Sequence, residues 1–188
     1  MAKFSVIYDA CVLYPAPLRD LLMRLALTDL FKARWTDQIH EEWINALLRR
    51  GQYDTTILER TRDLMDANVR DAKIIGYEGL IVGIELPDPD DRHVLAAAIK
   101  AGADAIITTN LKDFPEQTLS RYGIEAIHPD DFIYYQIDLA PAVACAAIKR
   151  QRQSLRNPPK SIDEFLAILQ KQQLPQTVSA LKKYIELL

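Results

Sequence analysis

Ala105-Ile106-Ile107-Thr108-Thr109, preceded by Gly102 and followed by Asp113, is the stretch whose reading decides the fold. Its apolar run is continuous rather than alternating, the pattern of a strand buried on both faces in a parallel sheet. Before it, Pro87-Asp88-Pro89-Asp90-Asp91 opens a helical pattern that runs through Ile99 and closes at Gly102. After it comes a short helix near Pro115 to Tyr122 and a weaker strand, Gly123 to Ile127. The N-terminus has the same order: Phe4-Ser5-Val6-Ile7-Tyr8 is a β-branched and aromatic strand that delivers Asp9 at its end. Leu18, Leu21, Leu22, Leu25 and Phe31 then keep helical spacing, with Pro17 in the first turn. Strand followed by helix, twice, predicts an α/β fold.

The remaining chain is helical in pattern. Trp35-Thr36 reads as a brief extended segment ending in an N-cap, with a helix from Asp37 to about Leu48 that stops before Gly51. A further helix is expected over Thr55 to Ala72, and Gly79-Leu80-Ile81-Val82 reads as a short strand or loop. Beyond Pro129 helices are predicted over Pro141 to about Leu155, Ser161 to Gln172, and Gln176 to Leu188; Ser161 and Glu164 are spaced as a capping box. A soft boundary near residue 138 gives two expected domains, 1–138 and a helical extension over 139–188. There is no internal repeat or low-complexity tract.

Composition excludes several classes. Of 188 residues, 49% are hydrophobic and 26% charged, with 23 Lys+Arg against 26 Asp+Glu, so the chain is neither disordered nor broadly polycationic. The near-balance hides an asymmetry, because residues 131–188 hold 8 Lys+Arg and 5 Asp+Glu and the rest is acidic. Two cysteines, Cys11 and Cys145, support neither a disulfide framework nor a cysteine zinc site. The longest uncharged apolar run, Leu139 to Ile148, is too short to span a bilayer, and Asp9 interrupts any signal-peptide stretch. A soluble cytoplasmic protein is expected.

Four acids fall where ligands bind in parallel α/β sheets, at or near the carboxyl ends of strands or on a core-facing stripe. Asp9 ends the first strand, and Asp113 follows the central strand within four residues of Thr109. At 100° per residue Asp91 shares a face with Val94, Leu95 and Ala98, while Asp90 and His93 point away. Glu42 sits at the edge of the Ile39, Trp43, Ala46, Leu47 stripe, and Glu41 on the opposite side. Singly, these could be a first-turn acid, a surface glutamate and a turn former. Together they would repel one another unless a divalent cation neutralised them, and an all-carboxylate set favours Mg²⁺ or Mn²⁺. Such a cluster suits phosphodiester hydrolysis, which needs no Ser, Cys or His nucleophile. No Gly-rich phosphate loop can be assembled from six glycines.

Val6-Ile7-Tyr8-Asp9, the Glu42 helix after Thr36, Asp88 to Ala98, and Thr108-Thr109-Asn110-Leu111-Lys112-Asp113-Phe114 resemble a PIN domain, more closely the VapC-type ribonuclease toxins of bacterial toxin–antitoxin pairs. The resemblance covers residues 3 to about 130, and Leu13 to Asp20 with the helical tail is similar to a longer subgroup. It implies a three-layer fold with a parallel sheet of four to five strands flanked by helices, and Mg²⁺- or Mn²⁺-dependent endoribonuclease activity. It implies catalytic roles for Asp9, Glu42, Asp91 and Asp113, metal ligation by Asp9, Asp91 and Asp113, and support from Asn110, Thr108 and Thr109. It further implies an RNA substrate and a small antitoxin partner, and it allows a homodimer. Cys11 stands where the family usually carries Asn, Ser or Thr, and a thiol is the weaker hydrogen-bonding group. The alternative function is a catalytically silent PIN-like module that binds RNA or protein.

Lys149, Arg150, Arg152, Arg156 and Lys160 form an acid-free stretch, with Lys149, Arg152 and Arg156 on one helical stripe. Lys149, Arg150, Arg152 and Arg156 are the candidate RNA- or antitoxin-binding residues, and a solvated helix face is the alternative. Val178, Leu181, Ile185 and Leu188 give the last helix an apolar stripe expected to pack on its own domain.

Overall fold

A computed structural model of the chain describes residues 3–188. From the N-terminus the elements are β1 (Ser5–Tyr8), α1 (Ala10–Leu13), α2 (Ala16–Ala26), β2 (Lys32–Arg34), α3 (Asp37–Leu48) and α4 (Thr55–Asn68). There follow α5 (Glu78–Ile81), α6 (Arg92–Ala101), β3 (Ala105–Ile107), α7 (Glu116–Leu119) and β4 (Glu125–Ile127). The chain then continues through α8 (Pro129–Leu139), α9 (Pro141–Ser154), α10 (Ile162–Lys171) and α11 (Pro175–Lys182). Single 3₁₀ turns cover Pro89–Asp91, Leu111–Asp113, Ser120–Tyr122 and Ile185–Leu187.

These elements form two compact units. The first takes in the chain up to Tyr14 together with Phe31–His128, and the second Pro15–Leu30 with Pro129–Leu188.

The first unit is built on a four-stranded parallel sheet in the order β2-β1-β3-β4. All residues of the two central strands β1 and β3 are buried, as their unbroken apolar character requires. Helix α6 packs on both of them. It is buried almost all round, from His93 to Ala98, and Gly102 ends it in the left-handed conformation at φ 57°. Thr36 caps α3 by accepting a hydrogen bond from Ile39 N at 3.1 Å.

Two expectations in this unit are corrected. Helix α4 stops at Asn68 rather than Ala72, because the backbone of Ala72 and Ile74 hydrogen-bonds to Trp35 on either side (2.9 and 2.8 Å) and so must be extended. The Gly79–Val82 run, expected as a strand or loop, joins no strand: it lies in the single helical turn α5 and the residue after it, and Val82 is 91% exposed.

The second unit is all-helical. α2 buries Leu18, Leu21, Leu22 and Leu25 against α9 and α10, and Gln151 Nε2 on α9 donates to Pro17 O at 2.8 Å. Asp130, at the start of α8, accepts from the backbone N–H groups of Gln176 and Thr177 (2.9 and 2.8 Å), so a buried carboxylate covers the N-terminus of α11. Ser161 and Glu164 form the expected capping box on α10. The last helix is shorter than its apolar spacing suggests: α11 ends at Lys182, and while Val178, Leu181 and Leu188 are buried, Ile185 is exposed.

Candidate active site

The carboxyl ends of β1 and β3 lie side by side, and the site begins there. Asp9 follows β1 directly, donates its backbone N–H to Ile107 O (3.1 Å), and is only 4% exposed. Thr108 follows β3 and is fully buried. Its hydroxyl donates to Asp9 Oδ2 at 2.7 Å and accepts from Asn110 N at 3.0 Å, so it fixes the acid and shapes the turn after the strand. Cys11 Sγ donates to the same Asp9 oxygen at 3.1 Å, lies 3.4 Å from Thr108 Oγ1, and accepts from Thr109 N at 3.3 Å. The thiol therefore fills the orienting position despite its weak polarity. Burial and the charge of Asp9 push its pKa up to about 12, so it stays protonated and able to donate.

Asp91 ends the 3₁₀ turn that leads into α6. Burial first, then the charges of Asp9, Asp88, Asp113 and Glu42, push its carboxyl up to about 7. The four acids singled out in the sequence thus share one electrostatic field. Asp88 adds to it although the sequence reading gave it no role; its side chain accepts from Asp90 N at 2.9 Å and holds the turn that presents Asp91. Asp113 sits in the 3₁₀ turn after β3, which the buried Phe114 anchors. Of the supporting residues, Thr108 acts through its hydroxyl, while Thr109 and Asn110 are exposed and contribute backbone N–H groups.

His93 is the main correction. Expected to point away from the inward face, it is 2% exposed, and its Nε2 lies 2.6 Å from Glu42 Oε1. The approach is off the line of a hydrogen bond, and neither ring nitrogen has an aligned partner. A single-face count failed because α6 is buried on nearly every side and Asp91 precedes it in a 3₁₀ turn. Asp91, Glu42 and His93 line one opening of about 410 Å³ with Gln38 and Asp90.

Helix α3, which carries Glu42, is tied down by a second network that the sequence did not announce. Trp43 Nε1 donates to His40 Nδ1 (3.0 Å), and Asp66 Oδ1 accepts from Trp35 Nε1 (2.7 Å) and lies 3.0 Å from His40 Nε2. With Nδ1 accepting, His40 is a neutral ring with its proton on Nε2, and burial holds its pKa below the ordinary value. The only sequence signal was a His and a Trp on the buried stripe of α3.

Among the described residues, no group of three or more His, Cys, Asp or Glu side chains is close enough to encircle one ion. The acids make a negatively charged mouth rather than a closed cage. That fits a hard ion such as Mg²⁺, which keeps much of its water and binds through one or two carboxylates. Burial does most to raise the Asp91 pKa, and the neighbouring anions, with no counter-charge beside them, add to it.

The basic residues lie in the second unit. Arg152 is committed to the fold, donating to Lys160 O (3.0 Å) and Leu188 O (2.9 Å). Lys149 is half-buried, and Arg150 and Arg156 are exposed. Lys160 Nζ is 3.8 Å from Glu164 Oε1. No helix among the described residues is long and apolar enough to cross a membrane.

The model of the PIN domain family matches residues 5–112, which include Asp9, Glu42 and Asp91, and a model described as the VapC50 C-terminal domain matches residues 129–183. A protein of Mycobacterium tuberculosis (strain ATCC 25618 / H37Rv) named "Putative ribonuclease VapC50" is 42% identical over 101 residues, 54% of this chain and 59% of the relative. The match thus spans little more than half of either protein. No solved structure matches the chain.

Proposed function

The chain belongs to the PIN domain family, with a VapC50-type C-terminal extension, and from that membership we propose that it is a Mg²⁺- or Mn²⁺-dependent endoribonuclease. We propose further that it is the toxin of a toxin–antitoxin pair, acts in the cytoplasm and is held in check by a small antitoxin protein. The observation that supports the reading is that Asp9, at the carboxyl end of β1, together with Glu42, Asp88 and Asp113, adds to the burial that raises the Asp91 carboxyl, and that Asp91 and Glu42 line one opening.

Asp9, Asp91 and Asp113 border the mouth where the cation would sit, one or two of them binding it directly and the rest through its water; when bound it would make a water more acidic and offset the charge of the phosphate. Thr108 and Cys11 both bond Asp9 Oδ2 and so set the direction of that carboxylate before substrate arrives. Glu42 takes a proton from the attacking water, and His93, packed against Glu42 Oε1, positions it. The water oxygen bonds to phosphorus, the bond to the leaving oxygen breaks, and that oxygen departs as an alcohol after taking a proton from a solvent water, Glu42 returning its own proton to solvent.

The test is cleavage of single-stranded and structured RNA by the purified full chain with Mg²⁺, with Mn²⁺, with chelator, and with Asp91→Asn. Cleavage that needs the cation and is lost in the variant is expected. Equal cleavage in every tube would remove the assignment. Tight RNA binding without cleavage under any cation would leave a silent binding module.

A further inference from the structure

Glu42 stands between two openings of the first unit. On one side it lines the acidic mouth with Asp91 and His93. On the other it edges a hollow of about 450 Å³ whose walls include Cys11, Trp43 and Ala46, with Tyr14 and Arg50 as half-buried and exposed members. The Arg50 guanidinium lies over the Tyr14 ring, 5.2 Å from its centroid. Glu42, Ala46 and Arg50 are spaced four apart along α3 and the turn that follows it, and all three border this hollow, so its edge runs from an acid through a small residue to a cation.

A nucleotide chain carries the matching alternation, a charged phosphate beside a flat base with apolar faces. We infer that the hollow is a nucleobase subsite: with the phosphodiester at the acidic mouth, the base of the adjoining unpaired nucleotide enters beside Glu42 and stacks on Tyr14, while Arg50 meets a neighbouring phosphate. The inference rests on the ribonuclease reading and adds to it a reason for strand selectivity. A base inside a duplex is stacked and cannot be presented to such a hollow, whereas an unpaired base can. An apolar side chain of a protein partner is the competing occupant. The arginine on an aromatic ring favours the base, because both planes stack on bases and the cation attracts phosphate.

The experiment uses the wild-type full chain with Mg²⁺ or Mn²⁺, an end-labelled single-stranded RNA that it cuts, and copies each carrying one abasic nucleotide. Cleavage should fall ~5- to 100-fold where the missing base adjoins the cut phosphate and stay constant elsewhere. Arg50→Ala and Tyr14→Leu should give a comparable loss on intact RNA, mainly in KM, and Tyr14→Phe should recover most of it; melting curves establish that each variant is folded. In Tyr14→Leu the abasic substitution should have little further effect. A flat abasic scan, or folded Tyr14→Leu with wild-type KM, would overturn the subsite, leave the ribonuclease reading standing and point to a protein occupant. Failure of the wild type to cut any RNA with either cation would sink the ribonuclease reading and the subsite with it.

Discussion

Asp91 is half-buried next to four other carboxylates, and its charge is therefore costly to the protein without a cation. Its folded pKa, about 7, lies above the ~3.9 of an unfolded aspartate. Its contribution to stability is thus full below pH ~4 and is lost as pH rises toward 7. His40 acts in the opposite sense: burial lowers its pKa in the fold, so its contribution is full above pH ~6.5 and is lost as pH falls below that. Replacing Asp91 by Asn should stabilise the metal-free protein at pH 8 by about 1 kcal/mol after allowance for solvent screening, read as a higher melting temperature. It should also steepen the fall in stability on acidification, while reducing cleavage by ~10²-fold or more. For the wild type, millimolar Mn²⁺ should raise the melting temperature at pH 8 far more than at pH 5, where Asp91 is protonated. No rise at pH 8 would count against a cation at these acids. At Thr108 the same logic is steric and polar: Thr108→Val keeps the shape but strips Asp9 Oδ2 of its shorter bond and Asn110 N of its acceptor. A loss of ~1 to 3 kcal/mol in chemical denaturation is expected, with lower activity in the folded fraction.

At the scale of elements, those that the sequence made legible are the ones with local punctuation. α3 runs from Asp37 to Leu48 as expected because Thr36 caps it, its apolar stripe is one-sided, and the signals at both ends lie within a turn of the helix. Thr36→Ala should therefore cost about 1 kcal/mol, with Thr36→Ser recovering most of it in thermal melts. Since α3 carries Glu42 and leads into Arg50, fraying at its start should also reduce cleavage. Where partners lie far away in the chain, the reading fails. Gly79–Val82 had the composition of a strand but no place in the sheet, and α4 is shortened by pairing between Trp35 and Ala72–Ile74, which no local pattern announces. Asp9, Asp91 and Asp113 drew notice in the sequence because each ends or precedes an element whose type is plain from it, and Glu42 because it edges the apolar stripe of α3. Asp88, His93 and the Trp35–His40–Asp66 network were not legible there, since their roles depend on which neighbours the fold supplies.

At the scale of the molecule, chemistry divides by unit: the acids lie in the sheet unit and the basic stretch in the helical one. The basic residues there are not equivalent. Arg152→Ala should destabilise the helical unit by ~1 to 3 kcal/mol, because Lys160 O and Leu188 O lose a charged donor. Arg150→Ala and Arg156→Ala, at exposed positions, should leave the melting curve unchanged. If these two residues meet RNA phosphates, each replacement should also lower the salt dependence of RNA affinity by ~0.7 in the log–log slope. An unchanged slope in both would place RNA elsewhere.

The helix α2 belongs to the unit completed by residues beyond 129, although it is made before most of the sheet unit. During synthesis its leucines, Leu18, Leu21, Leu22 and Leu25, have no lasting cover until α9 and α10 have emerged. At about 5 to 20 residues per second that wait is on the order of ten seconds or more. For that interval α2 lacks the helices of its own unit that bury its leucines in the finished fold.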